Sequence, residues 1–303
     1  MSRITVFTPT FNRADLLPRA YEALRRQTSK DFVWLIVDDG SEDATGEIVR
    51  QWQEADNDFE IRYVFKSNGG LHTGYNTAID RLDTELAVCV DSDDYLTDTA
   101  IEHILAFWDK HGSSEVAGIV GLDGTKDHQV VGDPLPNLER LNLIDLLLGK
   151  YPIKNGDRKL VVRSSLYKAV APQKTFPGEK NFNPHYMHLQ ISQAYDFLVL
   201  NEIICVVEYQ QGGMSRSIFQ QYYNSPRSFA ETRRLYLSFE NAGFVFRFRQ
   251  CVHYVSSSIL AGDKNFVSTS PAKALTIMAI PFGFALSCYI RYKVRKARKI
   301  HRE

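Results

Sequence analysis

Three carboxylates fall within four residues, Asp91-Ser92-Asp93-Asp94, directly after the apolar run Leu86–Val90. Anions this close repel one another unless a cation or strong donors sit among them. A hard divalent cation takes oxygen ligands and bridges to phosphates, so a metal–diphosphate site is one chemistry that suits the spacing. A solvated turn, with Ser92 or Asp93 capping the following helix, is the other. Similar polar clusters occur three more times. Asp38-Asp39-Gly40-Ser41 offers a carboxylate to the N–H edge of a base such as uracil, or a cap to the next helix. Asn68-Gly69-Gly70 lets backbone N–H groups approach an anion ahead of a helix. In Thr8-Pro9-Thr10-Phe11-Asn12-Arg13, Arg13 suits a phosphate or a nearby acid, and Phe11 suits the core.

Each cluster follows a strand signal. Ile4–Thr8, Phe32–Val37, Ile61–Phe65, Leu86–Val90 and Val116–Val120 are short apolar β runs. Amphipathic helices alternate with them. Leu17, Ala20, Tyr21 and Leu24 repeat at helical spacing behind an Asn12 cap. Ile48, Val49 and Trp52 mark a second helix, and Tyr75, Ala78, Ile79 and Leu82 a third. Thr99-x-x-Glu102 reads as a capping box before the stripe Ile101, Ile104, Leu105, Trp108. Strand–helix alternation implies βαβ units and a mostly parallel sheet, so the four clusters should converge on one sheet edge. Residues 121–215 are less regular, with short runs at Leu160–Val162, Phe197–Leu200 and Ile203–Tyr209; a mixed, partly antiparallel extension is expected there. Ser225-Pro226 opens a helical region that Gly243 interrupts.

With 44% apolar and 24% charged residues in 303, a substantial core is expected and disorder is not. Zero formal net charge argues against nucleic acid as a partner. Cys89, Cys205, Cys251 and Cys288 are widely separated in apolar surroundings and read as reduced core residues of a cytosolic protein. The N-terminus begins directly with a strand, and no signal peptide is expected.

Val6–Arg13, Val37-Asp-Asp-Gly-Ser41, Asn68-Gly-Gly70 with Asn76 downstream, and Asp91-Ser-Asp-Asp94 together resemble the inverting family 2 glycosyltransferases of GT-A fold, of the bacterial exopolysaccharide or capsule type. All four motifs stand in the family's order and spacing. The resemblance implies a GT-A domain over 1–215, a Rossmann-like sheet flanked by helices, and a C-terminal helical extension over 216–303. It implies sugar transfer with inversion from a nucleotide-sugar, usually a UDP-sugar, to a glycan or lipid-linked acceptor. It sets Asp39 at the base and Thr8, Pro9, Phe11 and Arg13 around the nucleoside. Asn68 and Gly69 fall on the donor side, and Asp91, Ser92 and Asp93 at the ribose and metal-diphosphate end. Mn²⁺ or Mg²⁺ would be held by Asp93, with Asp91 as its partner; Asp94 is a helper or a helix cap. A nucleotidyltransferase is disfavoured, because Thr8–Arg13 lacks glycine.

Inversion needs a base for the acceptor hydroxyl. The family often supplies it from a Glu-Asp pair, and this chain has none in Phe176–His188. Glu179 is the nearest carboxylate, with an ion pair to Lys180 or Lys174 as its other reading; His185 and His188 are alternatives. The missing pair also keeps open a catalytically inactive nucleotide-sugar-binding protein or scaffold. Glu208–Arg216 is glycine-containing and reads as a loop that closes over the donor, with Arg216 near the diphosphate.

Ala274–Ile290 carries no charge over 17 residues, and seven Lys/Arg follow in 291–302. The run is short for a span and contains Pro281 and Gly283. An interfacial or re-entrant anchor at the inner face of the cell membrane is expected, or else a packed helix with a solvated basic tail.

Overall fold

A computed structural model describes residues 2–153, 156–208 and 218–300. Its first half alternates strands and helices: β1 (Ile4–Thr10), α1 (Leu17–Arg26), β2 (Phe32–Asp38), α2 (Thr45–Glu54), β3 (Glu60–Phe65), α3 (Leu71–Asp80), β4 (Leu86–Cys89), β5 (Tyr95–Leu96), α4 (Ala100–His111) and β6 (Val116–Gly124). Then come β7 (Arg140–Leu141), α5 (Leu143–Leu147), β8 (Arg158–Arg163), α6 (Ser164–Val170), α7 (His185–Ile191) and β9 (Asp196–Val206). The chain divides into two compact units, Met1–Gln173 with Met187–Gln210, and Lys174–Tyr186 with Gln211–Glu303.

The first unit is built on a nine-stranded sheet in the order β3-β2-β1-β4-β8-β6-β9-β5, with β7 also on β9. β1 to β4 run parallel to one another. All seven residues of β1 and of β2 are buried, as expected for strands covered on both faces. Ile4, Val6, Trp34, Ile36 and Val88 meet Leu17, Tyr21 and Leu24 of α1 in one core. Tyr21, Trp34 and Trp52 stack at centroid distances of 4.5 to 6.2 Å.

Beyond β4 the sheet is mixed. β8 inserts antiparallel between β4 and β6, and β9 lies parallel to β6. Thus the parallel expectation holds for the first four strands and the antiparallel one for the extension. β6, expected as the fifth strand of the parallel series, stands one place further out. The run at 197–200 and the first part of the expected run at 203–209, as far as Val206, form one strand with register irregularities against β6; Tyr209 lies outside the described residues. Two expected caps are absent. Asn12 lies in the left-handed region at φ 50°, and α1 starts five residues later with a proline in its first turn. Thr99 makes no side-chain cap bond, and Glu102 accepts from Thr28 Oγ1 at 2.6 Å instead.

The second unit contains α8 (Ile218–Asn224), α9 (Pro226–Leu237), α10 (Phe244–Ala261), α11 (Phe266–Thr269) and α12 (Lys273–Ile300). Residues 174–186 belong to it rather than to the sheet domain. Leu237, Cys251, Tyr254, Val255 and Ala279 form its core. α12 is one continuous helix despite Pro281. A narrow stripe of it is buried, including Thr276, Ala279, Ser287, Ile290 and Val294, while Ile277, Met278, Phe282, Phe284 and Tyr289 are exposed. Gly283 permits the close α10–α12 approach, since a Cβ there would lie 2.6 Å from Val255.

Gly118 marks the bulge where β6 changes register against β9. Its φ is 149°, and a Cβ there would lie 2.0 Å from the Val161 carbonyl oxygen of β8. Because backbone cannot yield as a side-chain tip can, Gly118→Ala is expected to destabilise the protein by about 2–4 kcal/mol, read as a lower urea midpoint.

Candidate active site

The loops after β1, β2, β3 and β4 all leave the carboxyl edge of the parallel strands, where open α/β sheets bind ligands. Asp39 ties three of them together. Its N–H donates to Thr10 O at 2.8 Å. Its carboxylate accepts the N–H groups of Gly69 and Gly70 at 2.9 and 2.7 Å and pairs with Lys66 Nζ. Lys66 also donates to Ser67 O and to Thr73 Oγ1. Two amides and an ammonium thus offset the cost of burying this charge. Oδ2 has a single partner here and keeps capacity to accept the N–H of a base.

Gly40 allows the closure. At φ 86°, a Cβ on it would sit 2.9 Å from the Asn68 nitrogen. Asp38 supports the same turn, accepting from Ser41 N at 2.7 Å and Tyr63 Oη at 2.6 Å. Neither aspartate caps α2; Asp43 does, accepting from Thr45 N and Oγ1 at 3.0 and 2.6 Å.

The residues of the β1 loop divide between the core and the surface. Thr8 is buried, and its Oγ1 accepts from Trp34 Nε1 at 3.0 Å, so the side chain serves the core rather than a nucleoside. Pro9 is buried too, against α3 near Gly74. Phe11, expected in the core, is 45% exposed. Arg13 is also exposed, and its N–H donates to Thr45 Oγ1 at 3.1 Å. Asn12 clamps the β2 loop, donating from its N–H to Ser41 Oγ at 2.8 Å and accepting from Glu42 N at 2.8 Å.

In the acidic loop, Asp94 N–H closes a turn on Asp91 O at 2.9 Å. Asp91 reaches solvent, Asp93 is half-buried, and Ser92 and Asp94 are buried. Beneath them stands Lys159 of β8, 7% exposed. Its Nζ lies 3.5 Å from Asp94 Oδ2 and 3.9 Å from Oδ1 of Asp123 on β6. That Asp123 oxygen is buried and has no hydrogen-bond partner. One ammonium cannot neutralise this many carboxylates, which explains the shifts on both sides. Burial pushes Asp94 up to about 7; Lys159 opposes this, while Asp91, Asp93 and Asp123 add to it. Asp123 is raised by burial as well, and Asp91, though it reaches solvent, is raised by the protein mass that surrounds the loop, both against the pull of Lys159. Burial disfavours the Lys159 ammonium, but Asp123, Asp94 and Asp91 overcome that and hold it charged.

Among the described residues, no group of three or more His, Cys, Asp or Glu side chains is arranged to hold a metal ion. Asp91 and Asp93 still fit one as a pair of hard oxygen donors. A magnesium-like ion commonly takes one or two carboxylates and completes its shell with phosphates and water.

Glu179 stands differently from the expectation. Its carboxylate accepts from Arg227 N at 2.9 Å, Ser228 N at 2.8 Å and Ser228 Oγ at 2.7 Å, which caps the start of α9. It is a helix anchor with both oxygens engaged, not a free base, and Lys174 pairs with Glu231 instead. His188 is buried, with Nε2 2.8 Å from Tyr167 Oη. Burial holds His185 down at about 4, so its imidazole is neutral at physiological pH. The expected closing loop, with Arg216, falls in 209–217, outside the described residues.

Lys159 and Asp123 went unnoticed in the sequence. The available signal was a lysine at the head of an apolar strand, Lys159-Leu-Val-Val162, and an aspartate ending another, Val116–Asp123.

Residues 5–169 match the family described as Glycosyl transferase family 2, which is more than half of the chain. The chain belongs to glycosyl transferase family 2. Among the family's curated members it is 26% identical over 184 residues to the GalNAc(5)-diNAcBac-PP-undecaprenol beta-1,3-glucosyltransferase of Campylobacter jejuni, covering 59% of this chain and 58% of that one. It is 33% identical over 100 residues to glycosyltransferase GlyA of Streptococcus pneumoniae, covering 33% of this chain and 14% of GlyA. The chain thus spans less than two thirds of these relatives' lengths. Its fold resembles Staphylococcus aureus TarS 1-349 in complex with UDP-GlcNAc, with a TM-score of 0.56 and 18% identity over 97% of this chain and 92% of that one. It also resembles the Pyrobaculum calidifontis mannosyltransferase PcManGT in complex with GDP-Man and Mn²⁺, with a TM-score of 0.56 and 17% identity over 93% and 73%. The GT-A architecture expected of a family 2 protein is therefore present.

The capping role of Glu179 has a measurable consequence. Glu179→Ala leaves the Arg227 and Ser228 amides without acceptors and is expected to cost about 1–3 kcal/mol, read as a lower thermal midpoint. An unchanged midpoint would contradict it.

Proposed function

We propose that this family 2 chain transfers a sugar, with inversion, from a nucleotide-sugar to a glycan or lipid-linked acceptor in the synthesis of cell-surface polysaccharide. One observation carries the reading. The Asp39 hub and the acidic pair Asp91 and Asp93 both stand at the carboxyl edge of the parallel strands, as separate ends of a nucleotide-diphosphate site. The remaining acceptor capacity of Asp39 suits the imide N–H of uracil. Phe11, exposed in the β1 loop, offers a ring face to the base, and Arg13 a cation to phosphate. Asn68 and Gly69 line the donor side. Asp91 and Asp93 would hold Mn²⁺ or Mg²⁺, which supplies Lewis-acid stabilisation of the leaving diphosphate. Thr8, Pro9 and Ser92 act through the backbone and packing of the loops that carry these groups.

The named relatives support substrate class. One acts on an undecaprenol-linked glycan by its name, and TarS was solved with UDP-GlcNAc. A GDP-sugar remains the competing donor, given the PcManGT complex. In this reading the acceptor's hydroxyl proton goes to a side chain of the Glu179–His188 segment. The engaged state of Glu179 is the observation that favours a non-catalytic binding protein as the second reading.

A donor screen tests this directly. UDP-sugars with Mn²⁺ should raise the thermal midpoint more than GDP- or TDP-sugars, and donor turnover should follow. Asp93→Asn is expected to reduce turnover by at least about 100-fold while the protein stays folded. Full turnover by that variant would remove Asp93 from the metal role. Binding without turnover against any lipid-linked or glycan acceptor would leave the binding-protein reading.

We further assign α12 to the inner membrane surface. It is long and apolar enough to cross a bilayer by composition, with only 28% of the apolar window buried. Its exposed apolar face runs into Arg291, Lys293, Arg295, Lys296 and Arg298, which suits an anionic interface. The full chain should float with vesicles containing anionic lipid, bind neutral ones less, and detach from the anionic ones as salt rises. Failure to float with either would refute the assignment.

A further inference from the structure

Lys159 is an expensive residue to place where it is. It reaches from β8 between Asp94, after β4, and Asp123 on β6, and only 7% of it is exposed. A buried ion pair contributes little to stability compared with apolar residues of the same volume, so the fold alone does not call for it. Nor is the pairing arranged for strength. Neither carboxylate comes closer than 3.5 Å, and Asp123 Oδ1 has no hydrogen-bond donor at all. What the ammonium does face is the underside of the loop whose upper side carries Asp91 and Asp93. A donor diphosphate brings further negative charge to that loop. Without a cation, its approach would be opposed by every carboxylate there.

We propose that Lys159 is a positioning residue that serves as a resident counter-cation for the acidic loop, lowering the dependence of nucleotide binding on divalent metal. The inference deepens the donor-site reading above and rests on it. A fixed charge a few ångströms below the loop offsets part of the repulsion between Asp91, Asp93 and Asp94 before any ligand arrives. It holds Asp94 down beneath the turn, away from the donor. It also leaves the loop less anionic toward phosphate. The same charge competes with a bound metal, so removing it should strengthen the loop's hold on Mn²⁺ and weaken its hold on metal-free nucleotide.

The test is calorimetry of UDP binding to the full chain, once with EDTA and once with saturating Mn²⁺, for wild type, Lys159→Met and Lys159→Arg. The ratio of the two dissociation constants measures metal dependence. In Lys159→Met this ratio should rise by about tenfold, the size expected of one charge at such range in a partly screened site. The rise should come from weaker binding in EDTA. Lys159→Arg keeps the cation and should stay near the wild-type ratio. A general loss of packing would weaken both arms together and leave the ratio unchanged, which overturns the proposal. If Lys159→Met does not fold, Lys159→Met with Asp123→Asn removes the stranded carboxylate of β6 and still leaves Asp94 without its cation; the same rise is expected and its absence is equally decisive. Wild type that binds UDP in neither arm would refute the donor-site reading itself, together with this inference. Wild type that binds while the variants keep its ratio would refute this inference alone.

Discussion

One buried ammonium set against a surplus of carboxylate is the constraint around which the first unit is arranged. Lys159 stands below Asp91, Asp93 and Asp94 and beside Asp123, and a single positive charge cannot neutralise them all. Burial pushes Asp94 up to about 7 and the neighbouring carboxylates add to it, while the same carboxylates keep Lys159 charged. Such a cluster is unfavourable as pure architecture. It is tolerable at the end of β4 because Asp91 opens to solvent, and under the proposed function a metal and a diphosphate would supply the missing complementarity.

The opposite solution is found in the loop after β2. Asp39 is equally buried, yet two backbone amides and Lys66 satisfy it locally. It therefore works as a hinge pin for the β1, β2 and β3 loops, with one lone pair to offer. The two ends of the site differ for this reason. One is a locally paired hub with one acceptor position left for a base edge. The other is an unsaturated anionic rim suited to a cation. Gly40 belongs to the first end, since any side chain there would hold Asn68 away from the hub.

The second unit shows what local hydrogen bonding does to an attractive assignment. Glu179 lies in the segment where a proton acceptor is expected, and its residue type suits the task. Ser225-Pro226 starts a helix whose first amides need an acceptor, and Glu179 answers that need from outside the helix. α12 follows a simpler rule. Its small residues Ala279, Gly283 and Ser287 let it pack closely along one stripe, while larger apolar side chains point outward.

Alternating apolar runs and helical stripes determined the first four strands and their helices, because period and length are written locally in the chain. So were the four polar clusters after those strands, and with them the sheet edge on which they meet, since parallel strands must share their carboxyl ends. Only the tertiary structure decided the rest. That β8 slips antiparallel between β4 and β6 depends on long-range pairing, and this alone sets Lys159 beneath Asp94. That Thr8 turns inward while Phe11 turns outward depends on Trp34 claiming the Thr8 hydroxyl. Whether Glu179 is free or engaged depends on a helix that begins almost fifty residues later. Residue type and spacing proposed the chemistry of the Asp91–Asp94 loop; which charges neighbour it, and how far each is already satisfied, is a property of contacts between distant segments.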